Sequence, residues 1–198
     1  ILDLDEFSQR CDRVKEILGD IPLTYSMKAN PFLLNRFPES ISHVEVCSPG
    51  ELAICQRMNI PGARIIYSGV MKERWDVEEA VAYEVDILTA ESLQHLKLES
   101  EVASEKGREV KVVLRLTSGN QFGMNEAEIL DVIAHPEVYP GVRFYGIHYY
   151  SGTQKSFRQI RKDFQRLEHL LEQLQEDYQL DREGLLQQDL KDLLELDA

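Results

Sequence analysis

The sequence is poor in basic residues. Its 22 lysines and arginines stand against 35 aspartates and glutamates, a formal net charge of −13. That deficit argues against non-specific nucleic-acid binding, which relies on lysine and arginine to neutralise phosphates. No apolar run approaches the roughly 20 residues of a membrane helix, so no membrane partner is expected. The opening ILDLDEFSQR has no basic segment leading into an apolar core, so no signal peptide is expected. It does not begin with Met, which suggests a start inside a longer chain. Cysteine is scarce: Cys11, Cys47 and Cys55 form no CxxC pair, and the five histidines form no ligand cluster, so no metal is expected. Free thiols and a cytoplasmic location are the simplest expectation. A GxGxxG signal after the first strand and a P-loop are also missing.

What is present alternates. The 198 residues, 43% hydrophobic, suffice for one domain with a sizeable core. In DLDEFSQRCDRVKEIL, apolar residues at Leu4, Phe7, Cys11, Val14, Ile17 and Leu18 recur at spacings of three and four, predicting an amphipathic helix stopped by Gly19. Strands are expected in IPLTYSM, HVEVCS, ARIIYSG, VDILTA, EVKVVLRLT and VRFYGIHYY, near residues 23, 43, 64, 85, 110 and 142. Helical stretches lie between them. In SPGEL, Ser48, Pro49 and Glu51 fit an N-cap, a first-turn proline and a capping-box glutamate. The last strong helix is SFRQIRKDFQRLEHLLEQLQEDY. Six strand–helix units predict a parallel sheet, because parallel neighbours need a crossover. Both a doubly wound sheet and a (β/α) barrel fit, and the missing GxGxxG favours the barrel.

In either architecture the C-terminal strand ends line the site. Here they offer Lys28, Glu45 with Ser48, Ser68, Thr89, Arg115, and His148 with Ser151. Taken singly, each has a plain structural alternative: a solvated charge for Lys28, an ion pair for Arg115, a buried hydrogen-bonded ring for His148. Together they suggest a small anionic ligand and amine chemistry. A strand-end lysine in an apolar site has its ammonium disfavoured by desolvation, and its neutral amine can attack a carbonyl.

Four segments in order, YSMKANP, VEVCSPGEL, VVLRLTSGNQFGM and YGIHYYSGTQ, resemble the N-terminal barrel of the fold-type III pyridoxal-phosphate enzymes. The similarity is greatest to the ornithine/diaminopimelate decarboxylase group, with alanine racemases more distant. It covers about residues 1–180. It implies an α/β fold: a partial (β/α)8, TIM-like barrel of about six βα units, without the last strands and the C-terminal β-domain. It implies pyridoxal 5′-phosphate as cofactor and a small amino-acid substrate, free or carrier-bound. Decarboxylation would run through a Schiff base on Lys28. His148 would stack on the pyridine ring, and Arg115 would lie near the cofactor.

Glu45 stands where the family usually has aspartate. The phosphate hydroxyl stays open: alignment on the histidine selects Ser151, alignment on Gly-Thr-Gln selects Thr153. GNQFGM resembles a Lys-Phe-Gly segment with Gln121 in place of lysine, and is expected to be a structural turn. The family's glycine loop, its Glu-Pro-Gly-Arg strand and its β-domain are not in this sequence. A homodimer or a complementary C-terminal chain is therefore the expected partner. A truncated non-catalytic barrel and a racemase are the alternatives. Residues 181–198, DREGLLQQDLKDLLELDA, are expected to form a short acidic amphipathic helix or tail.

Overall fold

A computed structural model describes residues 3–178; the expected tail at 181–198 lies outside them. The order is α1 (Leu4–Leu18), β1 (Leu23–Ser26), β2 (Ile41–Val46), α2 (Pro49–Arg57), β3 (Ile65–Tyr67), α3 (Arg74–Ala82), β4 (Ile87–Ala90), α4 (Leu93–Glu105), β5 (Val110–Leu116), α5 (Glu126–Ala134), β6 (Val142–Tyr149) and α6 (Phe157–Tyr178). Short 3-10 turns cover Met27–Ala29 and Pro31–Arg36. The six strands pair in sequence order, each parallel to the next. This is the expected run of βα units, with β1 and β6 as the outer strands among the described residues. None of the described helices is long and apolar enough to cross a membrane.

Local chemistry accounts for the element ends. Asp3 accepts from the amides of Asp5 and Glu6 and so caps α1; Gly19 stops it at φ 58°. Ser48 caps α2 by accepting from the Glu51 amide. The expected capping box is modified, because Glu51 reaches back to the Cys47 amide and not to that of Ser48. One end of the α2 cap is thereby tied to the end of β2.

The sheet separates two chemistries by register. Val46, Tyr67, Leu88 and Val112 pair across β2 to β5, and all are essentially inaccessible to solvent. They form one row of the outer face, under the helices. Each large apolar side chain there contributes about 1.5–3 kcal/mol. Residues one position along project from the opposite, inner face. Glu45, Thr89, Arg115 and His148 belong to that set.

Glu99 on α4 breaks this pattern. It is fully buried, and neither carboxylate oxygen has a hydrogen-bond partner. Burial pushes its carboxyl from the ordinary 4.5 up to about 7, against the pull of Lys72. A raised carboxyl means that the native state keeps a proton the unfolded state has lost. The resulting stability is present below about pH 4.5 and is lost as pH rises through 7, an effect of about 3 kcal/mol. Denaturant titrations from pH 4.5 to 8 should therefore show the wild-type curve falling relative to Glu99→Gln. Parallel curves would contradict this.

Candidate active site

Lys28 sits in the 3-10 turn directly after β1. Met27 beside it is completely buried and anchors the turn, while Lys28 itself is exposed. This corrects the expectation of a desolvated lysine. Among the described residues β1 pairs with β2 alone, so within them its C-terminal end is walled on one side only. The ammonium lies 3.8 Å from Cys47 Sγ, which is 3.3 Å from Ser68 Oγ. Cys47 is a free thiol, and burial raises its pKa.

Glu45 is the carboxylate beside Lys28. Ser68 Oγ donates to its Oε1 at 2.7 Å. Burial pushes this carboxyl up, but the hydroxyls of Ser26 and Ser68 and the charge of Lys28 together hold it below the usual range. It is thus an anion near neutral pH. Gly69 makes room for this corner: at φ 136°, a Cβ there would lie 2.5 Å from the Cys47 carbonyl oxygen.

Arg115 and His148 are direct register partners on β5 and β6. Burial lowers the pKa of His148, with Arg115 adding to the effect and Glu91 and Glu45 opposing it. The ring is neutral at pH 7, and its Nδ1 is buried without a hydrogen-bond partner. Arg115 is bound by a residue that the strand-end reading missed. Its Nη1 donates to Glu91 Oε2 at 2.5 Å, and both side chains are almost fully buried. Thr89 Oγ1 donates to the other oxygen of Glu91 at 3.0 Å. The ion pair left open as the alternative for Arg115 is therefore present, and it lies inside the site.

The GNQFGM segment is a turn that supports this pair. The Thr117 amide donates to the Met124 carbonyl and the Met124 amide to that of Arg115, closing the turn, and the Gly123 amide donates to the Glu91 carbonyl. The Phe122 ring lies 5.4 Å below the Arg115 guanidinium. Lys72 was also missed. It is buried, and its Nζ donates to the Gly69 and Thr89 carbonyls, fastening the ends of β3 and β4 together.

The structure brings Lys28, Glu45, Arg115 and His148 to one end of the sheet, where the charges of Glu45, Glu91 and Arg115 act on His148. The two candidate hydroxyls are not equivalent. Ser151 donates to Asp163 Oδ2 at 2.6 Å, and that carboxylate also accepts from Tyr149 and Lys155. Thr153 is exposed.

With this arrangement in place, comparison with known proteins is decisive. The family described as "Pyridoxal-dependent decarboxylase, pyridoxal binding domain" matches residues 4–181. The chain belongs to this family. Diaminopimelate decarboxylase of Aquifex aeolicus is 26% identical over 74% of the chain and 39% of its own length. The L-glutamyl-[BtrI acyl-carrier protein] decarboxylase of Niallia circulans is 31% identical over 65% of the chain and 34% of its own length. Among solved structures, lysine/ornithine decarboxylase of Vibrio vulnificus in complex with putrescine superposes with a TM-score of 0.76 at 21% identity, covering 88% of this chain and 48% of that one. Diaminopimelate decarboxylase of Helicobacter pylori with L-lysine gives 0.77 at 21% identity, over 87% and 49%. The chain thus spans about half the length of these structures, and less of the curated relatives. These likenesses fix the fold as the pyridoxal-binding barrel domain of the decarboxylases. Pyridoxal phosphate is the cofactor that membership implies.

Proposed function

We propose that this domain supplies the cofactor-holding part of an amino-acid decarboxylase, with Lys28 as the amine that takes the cofactor's aldehyde. The observation that carries this reading is the convergence of Lys28, Glu45, Arg115 and His148 at the C-terminal ends of β1, β2, β5 and β6. The residues suit the group. An accessible primary amine stands at the rim, an anionic carboxylate lies beside it, and a neutral imidazole with an orphaned buried nitrogen lies behind. Bound pyridoxal phosphate supplies an electron sink for the pair released when carbon dioxide leaves an amino acid.

The chain's own residues hold and orient. His148 offers a flat uncharged face, kept neutral by burial. Arg115 is fixed in one position by Glu91 and Phe122. Ser151 or Thr153 supplies the hydroxyl for the phosphate; Ser151 would have to exchange its bond to Asp163. The substrate class is a small amino acid, either free and lysine-like or carried on an acyl carrier protein. Relatives that are named for diaminopimelate and for carrier-bound glutamate support both forms. A second copy or a complementary chain would complete the site.

Incubation with pyridoxal phosphate followed by borohydride reduction should fix one pyridoxyl group per chain, on Lys28. Peptide mapping reads its position. A label on other lysines with Lys28 unmodified would overturn the assignment.

A further inference from the structure

The N-terminal half of α6 concentrates positive charge in an acidic protein. Between residues 155 and 166 there are five basic residues, Lys155, Arg158, Arg161, Lys162 and Arg166, and one acidic residue, Asp163. Lys155 is paired with Asp163 and Arg166 with Glu126. Arg158, Arg161 and Lys162 are exposed and have no ion-pair partner among the described residues. Their spacing of three and four puts them on one face, where like charges repel. Arg158 also stands in the first turn of a helix with no acidic residue there, where the macrodipole disfavours a cation. This arrangement is locally unfavourable, which is the mark of a surface kept for a partner.

Apolar side chains accompany the charges. Tyr150, Phe157 and Ile160 are 49%, 54% and 39% exposed, and the Arg161 guanidinium lies 5.4 Å over the Phe157 ring. Ile160, Phe164 and Leu167 form the apolar side of a cleft of about 310 Å³ between α6 and the β6–α6 link. That link leaves β6 one residue after His148, so the patch lies beside the mouth of the site.

We propose that this patch is the docking surface for an acidic carrier protein that delivers the amino acid as a thioester to the Lys28 site. This rests on the decarboxylase reading and extends it to the substrate's form. The basic strip would meet the carrier's acidic face, and Phe157 and Ile160 would fill the centre of the contact. A second copy of the chain is also acidic, but the 31% identical relative named for a carrier-bound glutamyl substrate favours the carrier.

The test uses the full-length protein and the triple variant Arg158→Glu/Arg161→Glu/Lys162→Glu. All three side chains are exposed and glutamate is a good helix former, so the variant should fold. The probe is a carrier protein bearing an L-glutamyl thioester. The wild type is expected to bind it with a Kd that rises steeply with salt, and the variant to bind about tenfold more weakly or worse. Pyridoxyl labelling of Lys28 should be equal in both. Equal carrier binding by both proteins, or none by the wild type, overturns the proposal while a labelled Lys28 leaves the decarboxylase reading standing. A change in molar mass by light scattering without a change in carrier binding also overturns it, assigning the patch to self-association. An unlabelled Lys28 removes both readings.

Discussion

Lys28→Ala and Lys28→Arg are both expected to lose turnover by roughly a thousandfold or more, the scale on which removal of a covalent catalytic group is felt. The pair of variants separates two roles. Arginine keeps the positive charge beside Glu45, but its guanidinium is not a usable nucleophile at neutral pH. If Lys28 served only as a counter-charge for Glu45, Lys28→Arg would retain most activity. Lys28 is exposed, its neighbour Met27 supplies the buried anchor, and among the described residues its side chain makes only the weak hydrogen-bond contact to Cys47 Sγ. Both variants should therefore unfold within about 0.5 kcal/mol of the wild type. A large loss of activity with an unchanged unfolding curve is the expected signature. Retained turnover in Lys28→Arg would remove the covalent role.

Much of the barrel is visible in the sequence because each βα unit announces itself locally. A β-branched run such as VKVVLRL suits a strand of a buried sheet, and SPGEL marks a helix start through its own side chains. Strand ends follow from strand positions, so Glu45, Arg115 and His148 could be named without a structure. Glu91 escaped because it lies just past β4, in a segment that reads as the start of the next helix. The signal was available: Glu91 follows Thr89 by two residues and shares its face. The partner of Ser151 was hidden for the opposite reason. The capture of Ser151 by Asp163 joins positions twelve residues apart, and nothing in the local pattern places that aspartate beside the loop. The exposure of Lys28 has a similar origin, since it depends on which strands flank β1. Glu99 was invisible because a charged residue on an amphipathic helix is ordinarily assigned to the solvent face.

Glu91→Ala should be among the most destabilising single substitutions at the site, by about 3–5 kcal/mol. The reason is the stranded partner. Arg115 is only 8% exposed and would lose the carboxylate it pairs with among the described residues. The cation–π contact with Phe122 remains, but an aromatic face accepts no hydrogen bond of comparable strength. Glu91→Gln should be milder, because its amide oxygen can still accept from the guanidinium. The double variant Glu91→Leu/Arg115→Met removes both charges together and is expected to recover most of the stability. The two roles of Arg115 then come apart. Denaturation midpoints should rank wild type and double variant well above Glu91→Ala. The double variant should nevertheless remain catalytically impaired, since it lacks the guanidinium beside His148. Loss of Glu91 also removes the strongest charge that favours protonated His148, so the imidazole pKa should fall further in Glu91→Gln, as measured by NMR titration of the ring protons. A double variant that is stable and fully active would make the pair purely structural. One that is stable and impaired places Arg115 in the chemistry of the site.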